Sequence, residues 1–165
     1  MATSTDSRPD PDALLAQLRE DEQAVRRGKL RIYFGASAGV GKTYAMLSAA
    51  QRAQQAGQNV LVGVVETHGR METMALQSDL KLLPLRKVPH RGQVLLELDL
   101  DAALVAKPDI LLVDELAHSN APGSRHPKRW QDVQELLGAG VDVWTALNVQ
   151  HLESFSLVLR LISRA

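Results

Sequence analysis

Four short apolar runs, alternating with helical segments, constrain the fold of this chain more than any other feature. The runs are Leu30–Phe34, Asn59–Val65, Asp109–Val113 and Val141–Leu147. Two of them, the second and third, are apolar at successive positions, as a strand buried on both faces of a parallel sheet requires. The later predicted helices cover Lys42–Ala56, Glu72–Leu80, Asp99–Ala106, Pro127–Leu137 and Leu152–Ile162. This alternation predicts an α/β fold in which helices flank a mainly parallel sheet.

Length and composition indicate one globular domain. The chain has 165 residues, and its 19 Lys and Arg balance 19 Asp and Glu, so no net charge favours a nucleic-acid partner. It has no cysteine, which excludes disulfides and thiolate chemistry. No apolar run approaches the roughly 20 residues of a membrane span, so we expect no direct membrane insertion. Polar residues 1–10 predict a disordered tail, and residues 11–165 a single domain whose first helix begins at Pro11.

A glycine-rich segment between the first predicted strand and its helix matches a phosphate-binding loop. The motif G-x-x-x-x-G-K-[ST] falls on Ala36–Thr43, with alanine in place of the first glycine. Glycines 39 and 41 let backbone N–H groups approach a polyphosphate closely. The predicted ligands of ATP are Ala36, Ser37, Ala38, Gly39, Val40, Gly41, Lys42 and Thr43. Lys42 would hold the β/γ-phosphates and the Thr43 hydroxyl would ligate Mg²⁺. The alternative is a glycine turn that binds nothing, but its place between a strand and a helix favours a P-loop NTPase-like three-layer sandwich.

The third apolar run ends in two carboxylates, Asp114 and Glu115. Four apolar residues followed by an acid form the Walker B pattern, in which the aspartate reaches Mg²⁺ through water. We therefore predict Asp114 as a second contact of the nucleotide and its metal. The role of Glu115 stays open between a catalytic group that orients water and a solvated carboxylate.

The segment Leu116–Trp130 leaves the same end of the sheet, where open α/β sheets bind ligands. It contains Arg125, Lys128 and Arg129, any of which would neutralise phosphate charge in a mobile switch; Arg125 is the candidate we name as catalytic. The competing interpretation is a polar surface loop with solvated charges. Metal binding by its two histidines, His118 and His126, is disfavoured because further ligands are missing.

Two other predicted strands deliver polar residues to that edge. Thr67 follows the second strand, and Asn148 and Gln150 follow the fourth. These three are candidate sensors of the γ-phosphate, or alternatively caps of the helices that follow.

Four segments carry a resemblance to a known family: Phe34–Thr43, Val64–Arg70, Asp114–Trp130 and Asn148–Ser154. They closely resemble the N-terminal cytoplasmic domain of KdpD-type bacterial potassium-sensor histidine kinases, from about Asp10 to Ser154. The resemblance implies a cytoplasmic ATP-binding domain that regulates a membrane-bound sensor kinase. In that family the kinase responds to potassium limitation and osmotic stress, and it acts through a response regulator in a two-component phosphorelay that controls a potassium-uptake ATPase.

The last segment, Phe155–Ala165, is expected to depart from the family pattern. The later modules of full-length members are not found in the sequence, which indicates a truncated paralogue or a fragment. We therefore do not expect histidine autokinase activity of this chain. Three functions remain: a regulatory ATP-binding module, a slow ATPase or protein hydroxyl phosphotransferase that uses Glu115, and an inactive truncated paralogue. No Asn-Lys-x-Asp guanine reader follows Val141, which favours ATP over GTP.

Overall fold

A computed structural model describes residues 10–35, 41–67, 69–148 and 152–163. Residues 1–9 of the predicted disordered tail, 36–40 of the predicted phosphate loop, and 149–151 at the end of the fourth predicted strand lie outside these ranges.

Helices and strands alternate along the described chain. The helices are α1 (Pro11–Arg26), α2 (Lys42–Gln55), α3 (Met71–Ser78), α4 (Leu100–Ala106), α5 (Arg129–Gly138) and α6 (Leu152–Ser163). The strands are β1 (Leu30–Gly35), β2 (Val60–Val64), β3 (Lys81–Leu82), β4 (Arg86–His90), β5 (Gln93–Glu97), β6 (Ile110–Val113) and β7 (Asp142–Asn148). Each of the four predicted strands is present close to its expected bounds.

The five strands of the main sheet are all parallel, in the order β1-β7-β6-β2-β3. Strand β7 therefore lies between β1 and β6, and pairs Val143 with both Leu30 and Leu111. This arrangement confirms the predicted α/β class and the mainly parallel sheet.

Strands β4 and β5 form a separate antiparallel hairpin that the sequence did not predict. Its turn is Arg91-Gly92, and both residues have positive φ (47° and 75°), as the tight turns of two-residue hairpins require. Pro84 precedes the hairpin and Pro89 lies within β4, although proline is uncommon inside strands. Pro89 is accommodated because a two-stranded hairpin leaves each strand an edge that needs no N–H donor.

Helices cover both faces of the main sheet. Because side chains alternate across a strand, Ile110 and Leu112 pack with α2 on one face, whereas Leu111 and Val113 pack with α4, α5 and α6 on the other. The strand β6 is buried at all four positions. The core therefore lies in two layers, and the carboxyl ends of β1, β2, β6 and β7 meet at one edge.

Helix α5 begins slightly later than predicted, at Arg129 and not at Pro127. Lys128 is extended (φ −128°, ψ 144°), and its N–H donates to Oε1 of Gln131 at 3.0 Å. That hydrogen bond caps the helix after the proline. Among the helices that the structure describes, none combines the length and the apolar character of a membrane span.

Candidate phosphate site

At the junction of β1 and α2, the side chain of a lysine packs against the backbone of a glycine. Lys42 is the first residue of α2, and only 9% of it is exposed. A Cβ added to Gly35 would lie 2.4 Å from Cγ of Lys42 and 2.6 Å from its Cδ. The lysine stem therefore crosses the backbone where β1 ends, and a side chain at position 35 would displace it. Gly41 has φ 86°, which favours glycine at the residue before the helix.

Asp114 follows β6 on the same face of the sheet, in phase with Ile110 and Leu112. The residue is 7% exposed, and its backbone N–H donates to the Val64 carbonyl at 2.7 Å. Its carboxylate accepts hydrogen bonds from the backbone N–H of Glu115, at 3.0 Å, and of Glu66. The strand geometry thus orients the carboxylate while it shields the group from water.

Burial raises the pKa of Asp114, and it outweighs the two backbone hydrogen bonds and the positive charge of Lys42, which act to lower it. The effect of Lys42 on this carboxyl means that the two groups lie within electrostatic range. The structure therefore places Lys42 and Asp114 at one edge of the sheet, and Thr43 is buried next to Lys42 in the first turn of α2. Residues 36–40 of the predicted site lie outside the described ranges.

Glu115 sits at the point where the chain turns away from β6. Its φ is +54°, an uncommon value for a glutamate. The side chain is 52% exposed, and Oε2 lies 3.5 Å from Nη1 of Arg129. The candidate catalytic carboxylate is therefore engaged by the arginine that begins helix α5.

Arg129 is buried, contrary to the interpretation of this segment as a solvated loop. Only 2% of it is exposed. Its Nη1 donates to the main-chain carbonyl of Asp114 at 3.3 Å, and its Nη2 lies 3.7 Å from Oε2 of Glu97. Burial lowers the pKa of Arg129, and the surrounding carboxylates, those of Glu97 and Glu115 foremost, act against this change. An arginine guanidinium stays charged even so.

Glu97, at the end of β5, is a residue of this region that the sequence analysis missed. Its side chain is 4% exposed. The carboxylate accepts from the backbone N–H of Ala121 at 3.0 Å and contacts Nε2 of His118 at 3.0 Å. Nothing in the local sequence distinguishes this glutamate, since its partners all follow strand β6 and belong to a different part of the chain.

The remaining basic residues of the segment have partners on α4, on α5 and within the segment itself. Arg125 makes two hydrogen bonds to the Glu135 carboxylate, at 2.7 and 2.8 Å, and also pairs with Asp101. His126 contacts Glu135 at 3.1 Å, and Lys128 donates to the Ser119 hydroxyl. Within the described part of the chain, no cluster of three or more metal-ligating side chains occurs. These contacts fix the segment to α4 and α5. They also bind the Arg125 guanidinium to carboxylates, and not to a phosphate.

The predicted sensors stay predictions. The carbonyl of Thr67 accepts from the N–H of Arg70 in the turn before α3. Asn148 ends β7, and Gln150 lies outside the described residues.

Comparison with known proteins identifies the family. A family model described as "KdpD: Osmosensitive K+ channel His kinase sensor domain" matches residues 26–165. The chain belongs to this KdpD sensor domain family. The match extends to residue 165, so the expectation that Phe155–Ala165 departs from the family pattern was wrong.

Three relatives share the name "Sensor protein KdpD". The Escherichia coli protein is 59% identical over 152 residues, which are 92% of this chain and 17% of that protein. The Clostridium acetobutylicum protein is 51% identical over 149 residues, 90% of this chain and 17% of that protein. A Mycobacterium tuberculosis protein is 52% identical over 139 residues, 84% of this chain and 16% of that protein. The chain thus spans about one sixth of the length of these KdpD proteins.

A solved structure, the N-terminal domain of the DNA packaging ATPase from bacteriophage phi29, aligns with 84% of this chain and 84% of its own. The TM-score is 0.37 and the identity 14%, too low to support an argument about fold or function.

Proposed function

We propose that this KdpD domain binds ATP with Mg²⁺ through Ala36–Thr43 and serves as the nucleotide sensor of a two-component potassium-sensing kinase. One observation carries the proposal: Lys42 and Asp114, from different strand ends, are both buried at one edge and on one face of the parallel sheet. A P-loop NTPase-like architecture is the interpretation of the fold that accounts for this placement.

The residues fit the proposed ligand in charge and in shape. Polyphosphate is anionic, and it would meet Lys42, the positive end of α2 and the N–H groups of a glycine-rich loop. When Mg²⁺ accompanies the nucleotide it supplies two positive charges, which favour the ionised form of a carboxyl whose pKa burial has raised. Thr43 and Asp114 would hold that metal, and Gly35 leaves the space in which Lys42 crosses the strand.

A regulatory role fits the described contacts better than an enzymatic one. Glu115, the residue that would orient an attacking water, lies 3.5 Å from Arg129, and Arg125 is paired with Glu135 and Asp101. Slow ATP hydrolysis or phosphoryl transfer to a protein hydroxyl would require Glu115 to leave that contact. An inactive truncated domain is the remaining alternative, and it predicts no nucleotide binding.

Membership of the KdpD sensor domain family supports a proposal for the cellular setting. We place the domain on the cytoplasmic side of the membrane, where ATP is available, with the rest of the sensor kinase and a response regulator as its partners. Nucleotide occupancy would be read by those partners through the segment that follows Asp114.

Substituting the buried lysine tests nucleotide binding. In Lys42→Ala the loss of a charged phosphate contact should weaken ATP affinity by about 1.5–3 kcal/mol, roughly ten- to hundredfold. Titration calorimetry with Mg²⁺-ATP measures this, and ATP-dependent thermal stabilisation should fall with it. Lys81→Ala, which removes an exposed lysine from β3, is the matched control and should bind as wild type does. Unchanged binding in Lys42→Ala would overturn the proposed site.

Turnover separates the regulatory role from the enzymatic one. We expect tight binding and negligible ATP hydrolysis in both the wild type and Glu115→Gln, measured as phosphate release. A wild-type rate that falls sharply in Glu115→Gln would instead establish the ATPase alternative.

A further inference from the structure

One buried side chain contacts both residues of the corner formed by Asp114 and Glu115. The guanidinium of Arg129 reaches the main-chain carbonyl of Asp114 at 3.3 Å and the carboxylate of Glu115 at 3.5 Å. Glu115 has a positive φ, so the chain reverses there and presents both oxygens to the same side. The corner's own backbone does not supply these contacts; α5 does.

The same guanidinium is bound on its other side by Glu97. The Nη2–Oε2 distance is 3.7 Å, and both side chains are almost fully buried, at 2% and 4% exposure. Charges at this depth are poorly screened, so each depends on the other for compensation. The Nε of Arg129 has no hydrogen-bond partner among the described residues, so its contacts with Asp114, Glu115 and Glu97 are made by its two terminal nitrogens.

Glu97 in turn holds the segment Leu116–Lys128. Its carboxylate accepts from the Ala121 N–H and contacts His118, while the Arg129 N–H donates to the His118 carbonyl at 3.0 Å. The segment, the glutamate and the arginine thus form one continuous polar network that ends at the backbone of Asp114. A movement of Ala121 or His118 away from Glu97 would remove contacts from the carboxylate that pairs with Arg129, and so would act on the arginine through Glu97.

We propose that Arg129 is a positioning residue for the Asp114–Glu115 corner and that Glu97 couples it to the segment Leu116–Lys128. Arg129 acts through the main-chain carbonyl of Asp114 and the carboxylate of Glu115, and we assign it no direct contact with the nucleotide. The inference rests on the proposed function, because the corner's position bears on Mg²⁺ only where Asp114 helps to hold that ion. Binding coupling is reciprocal: nucleotide with Mg²⁺ biases the segment, and the segment biases the affinity for Mg²⁺.

The test separates metal-dependent from metal-independent binding. A non-hydrolysable ATP analogue is titrated into the chain in EDTA and again across a range of Mg²⁺ concentrations. Two variants are compared with wild type: Arg129→Lys keeps the charge but loses the planar fork that meets several acceptors. Arg129→Gln/Glu97→Gln removes both buried charges together, so the variant remains folded without an uncompensated carboxylate. Arg52→Gln, at an exposed arginine of α2, is the matched control.

In both variants, the Mg²⁺ concentration that gives half of the full gain in analogue affinity should rise about ten- to hundredfold, as for other groups that orient metal ligands. The affinity in EDTA should stay at the wild-type value, and Arg52→Gln should match wild type in both measurements. An unchanged Mg²⁺ requirement in the folded double variant would overturn the inference. So would a parallel loss in EDTA, which indicates a structural role alone. Failure of the proposed function is distinguishable, since wild type and Lys42→Ala would then bind the analogue equally or not at all.

Discussion

Arg125 and Arg129 lie close together in the chain, but Arg125 makes an exposed ion pair and Arg129 a buried one. Arg125 makes the shorter contacts, 2.7 and 2.8 Å to Glu135, but 45% of its side chain is exposed. The contacts of Arg129 with carboxylates are longer, 3.5 and 3.7 Å, yet only 2% of the side chain is exposed. Exposed pairs contribute little because water and salt screen them, whereas a buried charge that loses its partner is strongly destabilising. The expected loss of stability when either arginine is removed therefore depends on burial and not on the length of the contact.

The largest effect should come from separating the buried pair. Arg129→Gln leaves Glu97 buried without its guanidinium partner, and we expect it to lower the free energy of unfolding by about 3 kcal/mol. Urea denaturation followed by circular dichroism measures the loss. Adding Glu97→Gln should recover most of it, because no uncompensated charge then remains. A double variant as unstable as the single one would contradict the assigned pairing.

Asp114 extends the comparison to a buried carboxylate held by backbone N–H groups. Its pKa is raised by burial, so the ionised form is less favourable in the folded than in the unfolded protein. In EDTA, without nucleotide, Asp114→Asn should therefore be more stable than wild type at neutral pH, by less than the Arg129 effect. The gain should shrink as the pH falls through the raised pKa of the folded state, and it should vanish below about pH 3, where the carboxyl is protonated in both states. Thermal unfolding at several pH values measures the difference, and a gain that grows on acidification would refute it.

The smallest effect is expected at the exposed pair. Burial acts to raise the pKa of Glu135, but hydrogen bonds from Arg125 and His126 outweigh it and lower the pKa overall. The stabilisation from ionised Glu135 is present above the ordinary carboxyl range and is lost as the pH falls through the lowered value. Arg125→Gln should remove part of it, with a shift in the urea midpoint close to the experimental error at neutral pH. A loss as large as that of Arg129→Gln would overturn the ranking by burial.

The sequence predicted the elements whose signals are local. Runs such as Ile110–Val113 are apolar at every position, and this pattern indicates a doubly covered strand before any neighbour is known. Lys42, Thr43 and Asp114 were predicted because motif spacing and strand ends determine them. The hairpin β4–β5 was missed because its proline and charged residues resemble a loop, and its positive-φ turn has arginine where asparagine or aspartate is usual.

The network around Arg129 could not be predicted from the sequence, for a different reason. A Lys-Arg pair before a helix is usually solvated, and the burial of one member depends on Glu97, which belongs to a separate hairpin. Such pairing is tertiary: no periodicity or motif within the segment encodes it. The prediction that Arg125 neutralises phosphate charge likewise could not take account of its partners on α4 and α5.

The placement of β7 between β1 and β6 has a consequence for synthesis on the ribosome. Leu30 pairs with Val143, so the first strand of the sheet has no neighbour until the last one has been made. Pairings this distant in sequence slow folding. Because ribosomes add roughly 5–20 residues per second, translation of that interval takes on the order of ten seconds. During this time the strand that leads to Lys42 and the strand that leads to Asp114 remain unconnected. The two halves of the candidate site therefore come together only after β7 has been synthesised.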